Sequence, residues 1–321
     1  MDLDRMLDKC TRDQWEPGDL DWGRVPPDDW PQDKEEAVVQ YFTDMAAIER
    51  LAAALFDEQR RAAPDPRLER IFASFVKDEL RHSHVAQQLA DHYDVHRYRP
   101  YAVNEALRRF APHFVYAVRF LSAEFATIYI TTGELILDIA LLRSLDDYCD
   151  DPMSAEAMAR INRDESRHIA IDFHMVEYYS QAEWQEALAS APPRPLGERV
   201  RAWWAFAQVL RFARPFFRDV FFSPMERTDP SGRRIREAFK RMQLLGAKPA
   251  VAARPFSRFV LTLQDVHNHP VLGRVFGRVA ARLLGLDPAF MGTLYDEDEF
   301  RWAAGASFDE LAASALAEKG R

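Results

Sequence analysis

Cysteine and glycine are both scarce in this chain of 321 residues. The only cysteines are Cys10 and Cys149, which is too few for a disulfide scaffold or a cysteine-based zinc site and is typical of a reducing compartment. Glycine contributes only 12 residues, whereas Ala, Leu, Arg and Glu are abundant, and this balance favours helix over sheet. Hydrophobic residues make up 48% of the chain, which excludes disorder as the dominant state.

A targeting segment and an uninterrupted apolar run are also lacking. The chain begins with the acidic stretch Met-Asp-Leu-Asp-Arg, and no apolar run follows as in a signal peptide. We take residues 202–222 as the most hydrophobic stretch, and Arg211, Arg214, Arg218 and Asp219 interrupt it. We therefore expect no bilayer span. The sequence predicts a soluble cytoplasmic protein.

The net charge of −9 is unevenly distributed. Residues 194–282 contain 18 lysines and arginines against 6 acidic residues, which leaves the rest of the chain strongly acidic. Two interpretations are open: a basic lobe that docks on an acidic lobe of the same chain, or a surface for an anionic ligand or partner. Nucleic acid is not an expected partner, because the overall charge is negative and no recognition motif is present.

Hydrophobic periodicity predicts an all-α fold with three parts. Residues 1–33 are expected to form an extended N-terminal arm anchored by Trp15, Trp22 and Trp30. Residues 34–190 are expected to form a ferritin-like four-helix bundle, and residues 191–321 an appended helical C-terminal lobe and tail. The four helices are predicted at about 35–61, 67–93, 104–145 and 152–189, with Pro112 near the start of the third. Short turns join the first pair and the second pair, which predicts two antiparallel hairpins.

One five-residue pattern occurs twice, once in the second helix and once in the fourth. The two copies are Asp78-Glu79-Leu80-Arg81-His82 and Asp164-Glu165-Ser166-Arg167-His168. A Glu and a His three residues apart face the same side of a helix, and here they continue the apolar stripe. A carboxylate on a buried face costs several kcal/mol unless its charge is compensated.

Two more glutamates lie on the apolar stripes of the other predicted helices. Glu49 pairs with Glu79 about residue 64, in the Pro64-Asp65-Pro66 turn, and Glu134 pairs with Glu165 about the Cys149-Asp150 turn. Residues equidistant from the turn of an antiparallel hairpin lie at the same height, so all four glutamates are expected in one layer. Glu124 lies ten residues before Glu134, about 15 Å along the axis, and is rejected as a ligand.

Four carboxylates and two imidazoles in one buried layer predict a dinuclear metal site. Two divalent cations would neutralise four carboxylates, and oxygen and nitrogen donors without thiolate suit iron or manganese. The predicted metal ligands are Glu49, Glu79, His82, Glu134, Glu165 and His168.

This set resembles that of the ferritin-like di-iron carboxylate proteins, the superfamily of soluble di-iron oxygenases and oxidases. The resemblance covers residues 35–190 and implies two iron ions, or a manganese–iron pair. It implies bridging by Glu79 and Glu165, with Glu49 and His82 completing one metal's ligands and Glu134 and His168 the other's. It further implies that Asp78 and Asp164 hydrogen-bond a ligand histidine of the facing hairpin, with Arg81 and Arg167 bracing these acids. Plain ion pairing on the helix surface is the alternative for these four. For Asp172, which follows His168 by one turn, a supporting role is also expected.

Three groups within the superfamily share features with this chain. The ligand spacing is similar to that of the aldehyde-deformylating and hydrocarbon-oxidising members. The Asp-Glu-x-Arg-His pattern resembles acyl-carrier-protein desaturases and arylamine N-oxygenases. N-oxygenases have a further histidine four residues before the second-hairpin glutamate, where this chain has Ile161, and His174 lies on the wrong face to replace it.

Several residues near the predicted ligands have two open interpretations. Thr127 and Thr131 are candidates for an oxygen-binding pocket or for hydrogen bonds to backbone carbonyls. Tyr129 is a candidate redox residue or a core aromatic. His84, His92 and His96 are expected to be solvated or capping histidines.

Two basic segments beyond the predicted bundle also remain open. The segment 199–222, in which arginines alternate with aromatic residues, is a membrane-surface helix, the cover of an apolar channel, or a helix packed on the bundle. A basic cluster is a candidate docking site for an acidic carrier protein, a coenzyme A phosphate or an acidic ferredoxin; it comprises Arg233, Arg234, Arg236, Lys240 and Arg241.

The resemblance implies an O2-activating oxidoreductase that hydroxylates, desaturates, N-oxygenates or otherwise oxidises an apolar small-molecule or carrier-bound substrate. No flavin or nicotinamide motif is present, so an external electron donor such as a ferredoxin is expected. A homodimer is compatible with the sequence. The alternatives are a ferroxidase or iron-handling protein and a radical-generating subunit.

Overall fold

The computed structural model describes residues 1–284 and 287–318, apart from the side chains of Tyr129, Leu283 and Leu284. Every regular element in this described part is helical. Sixteen α-helices are labelled in chain order: α1 Leu3–Arg12, α2 Gln32–Arg61, α3 Pro66–Tyr93, α4 Glu105–Phe120, α5 Ala123–Ile136, α6 Arg143–Cys149, α7 Pro152–Ser180, α8 Ala182–Ser190, α9 Leu196–Phe216, α10 Ser223–Thr228, α11 Arg233–Ala247, α12 Pro249–Ala252, α13 Pro255–Asn268, α14 Leu272–Leu284, α15 Glu297–Gly305 and α16 Phe308–Glu318.

The helices α3 and α7, which carry the repeated pattern, begin in the same way. Asp65 precedes Pro66 and accepts a hydrogen bond from the backbone N–H of Arg67 at 2.7 Å. Asp151 precedes Pro152 and accepts one from Met153 at 2.9 Å. Proline needs no hydrogen bond at the first helical position, and the aspartate satisfies a free N–H group of the first turn. The chain therefore folds back after α2 and after α6 at well-defined positions.

The predicted third helix, 104–145, is not continuous. The structure breaks it between α4 and α5, where Leu121 is extended and the Ser122 hydroxyl caps α5. Between α5 and α6 the path continues through a π-helical turn, Leu137–Leu142. A second π turn, Phe217–Phe222, joins α9 to α10. The predicted fourth helix also divides, because Gln181 is extended between α7 and α8.

The N-terminal arm is not extended as predicted, because Leu3–Arg12 is helical. The Asp2 carboxylate caps α1 by accepting from the backbone N–H of Arg5. Met6 and Cys10 are buried where α1 packs against α3. Trp15 is buried, and Trp22 and Trp30 are partly buried against the same core. The three tryptophans therefore anchor the arm as the sequence predicts.

The C-terminal helices pack on the helices of the predicted bundle. Helix α9 lies along α4, α11 contacts α5 and the first π turn, and α16 lies along α7. Helices α13 and α14 pack against each other. One apolar core runs from Met6 of the arm to Ala315 of α16.

In the part of the chain that the structure describes, one stretch of helix is long and apolar enough to span a membrane. It is Ala123–Cys149, with a mean hydropathy of 1.6, rather than the 202–222 segment examined in the sequence. Its apolar window is 82% buried inside the protein, as expected of a core helix, and this burial is consistent with a soluble protein.

Candidate metal centre

The six predicted ligands lie together in one buried layer. Glu49 comes from α2, Glu79 and His82 from α3, Glu134 from α5, and Glu165 and His168 from α7. Five of them are fully buried, and Glu134 is 4% exposed. The turn after α2 thus brings Glu49 and Glu79, which are 30 residues apart, to the same height. The turn after α6 does the same for Glu134 and Glu165, which are 31 residues apart.

The layer divides into two groups that share two residues. Glu49, Glu79, His82 and Glu165 form one group, and Glu79, Glu134, Glu165 and His168 form the other. Within each group, one potential ligand atom from every residue lies within 4.8 Å of the others. Because Glu79 and Glu165 belong to both groups, each offers its two oxygens to two neighbouring positions. Either group could hold a metal ion.

Both histidines turn the same ring nitrogen towards the carboxylates. The Nδ1 atom of His82 lies 2.9 Å from Oε1 of Glu165, and Nδ1 of His168 lies 2.9 Å from Oε1 of Glu79. On the other side, Nε2 of His82 lies 3.1 Å from Asp164, and Nε2 of His168 lies 3.6 Å from Asp78. Asp164 therefore orients the His82 ring from the opposite helix, and Asp78 lies in the matching place beside His168, just beyond hydrogen-bond distance. Both Nδ1 atoms are directed into the cluster.

The two aspartates and two arginines of the repeated pattern form a closed network. Arg81 donates to Asp78 and, at 2.9 Å, to Asp164. Arg167 donates to Asp164 at 2.8 Å and to Asp78 at 3.2 Å. Each arginine thus joins the aspartate of its own helix to that of the facing helix, and all four are buried. This network is not the surface ion pairing that was the alternative interpretation.

Two residues of the arm complete this network, and sequence analysis did not identify their role. The indole N–H of Trp15 donates to Oδ2 of Asp164 at 2.7 Å, and its ring lies over the Arg81 guanidinium. Gln14 donates to Asp78 at 3.2 Å and accepts from Arg81 at 3.0 Å. The presence of a tryptophan is the only sign of this contact in the sequence, because Trp15 and Asp164 are 149 residues apart.

Burial and mutual repulsion dominate the electrostatics of the cluster. Burial raises the pKa of Glu49 to about 7 and raises the pKa of Glu79 and Glu134 well above the usual range. Burial also acts on Glu165, but its two histidine neighbours outweigh it and lower its pKa. Burial alone would lower the pKa of His82, yet Asp164 and Glu165 raise it to about 10. Without a cation, the protein must hold protons here to offset the buried negative charge.

The donor set fits two divalent cations. Both oxygens of Glu49 and Oε2 of Glu79 are buried and accept no hydrogen bond from any described residue, and Oε1 of Glu79 contacts Nδ1 of His168. Buried carboxylate oxygens are costly when they are neither hydrogen-bonded nor coordinated. Four carboxylates balance two divalent cations in charge, and Phe56 and Phe75 close the side of the cluster around His168, with centroids 5.1 and 4.1 Å from its ring.

The remaining candidate residues lie outside the cluster. Glu124 is at the first turn of α5, where Gln185 donates to it. His174 lies beside Glu177, and Ile161 is buried without a polar atom to offer. His96 contacts Glu35, His92 contacts Trp22, and His84 is exposed.

The threonines and Asp172 connect the cluster with an apolar cavity. The Thr131 hydroxyl donates to the backbone carbonyl of Thr127 at 2.8 Å, and Gln59 lies 3.5 Å from the Thr127 hydroxyl. Thr131 also adjoins the buried Asp172, whose pKa is raised by burial and by the neighbouring acid Asp138. Thr131 lines a cavity of about 170 Å³ between α5, α7, α11 and α13. The Tyr129 side chain lies outside the described residues.

The basic cluster on α11 is largely paired within the protein. Arg234 pairs with Asp147, Lys240 with Glu237 and Glu299, and Arg241 with Glu237 and Glu318. Lys240 and Arg241 therefore join α11 to α15 and α16, and Arg234 joins α11 to α6. This favours the interpretation in which basic and acidic parts of the same chain dock on each other.

No protein-family model and no curated protein matches this chain.

Proposed function

We propose that this protein is a ferritin-like, non-haem di-iron oxidoreductase that activates O2 and oxidises an apolar organic substrate. The observation that carries the proposal is the pair of overlapping Glu/His groups with Glu79 and Glu165 in common. A site for one metal needs only one group, and a structural polar network would have its oxygens hydrogen-bonded. In the described residues, both oxygens of Glu49 and Oε2 of Glu79 lack a hydrogen bond, and Oε1 of Glu79 contacts Nδ1 of His168.

The helix arrangement supports the ferritin-like assignment. Helices α2 and α3 pack along each other, and α5 with its π turn packs along α7. The ligands follow the order Glu, Glu-x-x-His, Glu, Glu-x-x-His through these four segments. Dinuclear carboxylate sites in helix bundles use this number and placement of ligands. The carboxylate and imidazole donors suit a pair of iron ions, with a manganese–iron pair as the nearest alternative.

The chemistry divides between metal and protein. When bound here, two ferrous ions supply electrons for the reduction of O2. The protein's part is to hold Nδ1 of each histidine towards the cluster through Asp78 and Asp164, and to surround the site with apolar side chains. Against the effect of burial, His168 lowers the pKa of Asp78, and His82 with Arg167 lowers the pKa of Asp164. Both aspartates are thus ionised, so that each can accept from the outer N–H of a neutral ligand histidine. Asp172 and Thr131 are the polar groups between the cluster and the cavity.

The cavity favours oxidation of an organic substrate over iron handling. Its wall is mainly aliphatic and aromatic, and it includes Thr131, the neighbour of Asp172. An iron-storage role needs a polar path for ions, whereas this lining suits an apolar molecule. An external electron donor such as a ferredoxin completes the proposed reaction cycle.

Metal stoichiometry tests the proposal. After anaerobic loading with Fe(II) and desalting, the wild-type chain should retain about two irons per chain. Glu79→Ala and Glu165→Ala should lose both irons, because each removes a ligand from both groups. His168 belongs only to the group with Glu79, Glu134 and Glu165, so His168→Ala should weaken binding of the iron in that group first.

Glu124→Ala is the matched control, since it removes a buried glutamate of α5 that lies outside both groups. It should retain wild-type stoichiometry. A wild-type chain that retains neither iron nor manganese would overturn the proposal. The chain could instead retain two irons that O2 oxidises completely, with no effect of any apolar additive. That result would favour a ferroxidase.

A further inference from the structure

Helix α14 exposes large apolar side chains to solvent and buries small ones. Gly277, Ala280 and Ala281 face inward. Among the described side chains, the large residues face solvent, with Val275 65% exposed; the exposed set is Leu272, Val275, Phe276 and Val279, with Val271 directly before the helix. A helix that folds by burying its apolar face shows the opposite arrangement. Packing among the described residues does not explain the pattern.

Helix α9 shows a second exposed apolar face in its first half. The residues are Leu196, Val200, Trp203 and Trp204, and Trp203 is 71% exposed. Their spacing places them on one side of the helix. The second half of α9 is different, because Val209, Ala213 and Phe216 are buried against the core. Only the first half of α9 therefore presents apolar residues outward.

The two exposed faces belong to one region of the surface. Helices α9 and α14 contact each other, and α14 packs on α13. Trp203 of α9 and Phe259 of α13 line the same groove of about 600 Å³. Phe256 of α13 lines both this groove and the apolar cavity beside the metal cluster. We call the exposed residues of α9, α13 and α14 the apolar face.

Unpaired arginines surround the apolar face. Helix α14 carries Arg274, Arg278 and Arg282 at four-residue intervals and has no acidic residue. Arg194 and Arg199 line the groove beside Trp203. Among the described residues, Arg199 and the three arginines of α14 form no ion pair. In this they differ from the basic cluster of α11, whose charges are largely neutralised within the chain.

We propose that the apolar face is a docking surface for an anionic lipid bilayer. Exposed tryptophan and aliphatic residues with arginines beside them match the boundary between headgroups and acyl chains. A second copy of the chain would bring like charges together and is disfavoured. An acidic protein would pair with the arginines but would leave the outward aliphatic residues of α14 unexplained. The rest of the protein is acidic, so an anionic membrane would attract this face and repel the others.

Vesicle co-sedimentation tests this inference with the full chain and does not depend on the metal centre. The probes are vesicles of phosphatidylcholine alone and of phosphatidylcholine mixed equally with phosphatidylglycerol. Wild-type protein should bind the mixed vesicles, and the binding should weaken as salt rises. Arg274→Gln with Arg278→Gln should lower the partition coefficient about fivefold for each arginine. Trp203→Ser and Phe276→Ser should lower it about tenfold each.

Matched controls come from other faces of the molecule. Arg12→Gln with Arg301→Gln removes two exposed arginines of α1 and α15, and Trp302→Ser removes an exposed tryptophan of α15. These variants should bind like wild type. The inference is overturned if the wild-type protein binds neither vesicle, or if the control variants lose binding equally. A dimer that separates when Phe276 or Trp203 is replaced, without vesicle binding, would assign the face to a second copy instead.

Discussion

The position of Asp164 shows how single side chains organise the candidate metal centre. This carboxylate accepts hydrogen bonds from Trp15, Arg81 and Arg167 and contacts Nε2 of His82. Its neighbours hold its pKa well below the usual range, because the His82 contact and the arginine charges outweigh the effect of burial. Asp164 therefore stays ionised and orients the histidine. Trp15 is the only one of these partners that comes from outside the helices α3 and α7.

Replacing Trp15 with phenylalanine should remove one donor to Asp164 while keeping an aromatic ring. A hydrogen bond to a charged group contributes about 2 kcal/mol, so the free energy of unfolding should fall by about that amount. Urea denaturation of the metal-free protein measures it. Trp22→Phe is the control, because the Trp22 N–H donates to a backbone carbonyl within the arm. Equal losses in the two variants would contradict a special role for Trp15.

The buried carboxylate of Asp44 should make the free energy of unfolding depend on pH, separately from the metal centre. Burial raises its pKa to about 6, against the effect of the Asn104 N–H and the Gln40 amide that donate to it. Because the folded state binds this proton more tightly than the unfolded state, the stabilisation is complete below about pH 4. It is lost as the pH rises through about 6.

Asp44→Asn removes the ionisation and should therefore gain stability relative to wild type as the pH rises. The difference between the two unfolding free energies should change by about 3 kcal/mol between about pH 4 and about pH 7. Urea denaturation of both proteins at the two pH values measures this change. A difference that does not vary with pH would contradict the prediction.

At the scale of helices, the two turns that end in Asp-Pro set the register of the cluster. Glu134 and Glu165 are level only because α6 ends and α7 begins at a particular residue. Asp150 adopts a left-handed conformation there, with φ of 50°. Asp151 caps α7 and also accepts a hydrogen bond from the Tyr93 hydroxyl at 2.6 Å. The cap therefore ties the second hairpin to the end of α3.

Asp151→Ala should lower the free energy of unfolding by about 2 kcal/mol, about 1 from the lost cap and about 1 from the lost Tyr93 contact. Asp65→Ala is the control, because Asp65 caps α3 but is not the acceptor of the Tyr93 hydroxyl. This substitution should cost about 1 kcal/mol. A cycle that includes Tyr93→Phe isolates the shared interaction. Additive losses in that cycle would show that the tie contributes nothing.

At the scale of the whole molecule, the arm is part of the folded core rather than an appendage. Cys10 of α1 is 1% exposed, and Cys149 at the end of α6 is fully buried. Burial raises the pKa of Cys10 to about 11 and that of Cys149 further. A thiol that is both buried and protonated reacts slowly.

Neither thiol should react with iodoacetamide in the native protein at about pH 8. Replacing both Gln14 and Trp15 with alanine should release the arm, so that Cys10 becomes reactive while Cys149 stays protected. Mass spectrometry of the alkylated peptides distinguishes the two sites. Simultaneous alkylation of Cys10 and Cys149 would show that the arm does not open independently.

The sequence by itself determined the helical class and the membership of the Glu/His layer. Helical periodicity and the positions of the two turns are local properties, and together they set which residues share a face and a height. This is why Glu49 and Glu134 could be selected and Glu124 rejected. The break at Leu121, the helix in the arm and the π turns were not predicted, because each depends on local backbone geometry that an apolar stripe does not encode.

Only the tertiary structure decided which distant residues complete the site and its surroundings. Trp15 meets Asp164, and Thr131 meets a cavity built largely by α11 and α13, across separations that no periodic pattern encodes. The arginines of α11 and α14 look alike in sequence. Those of α11 are largely paired with acidic residues, and those of α14 face outward beside exposed apolar residues. Which side of a helix meets the core is set by its neighbours, and that is the physical reason the sequence left it open.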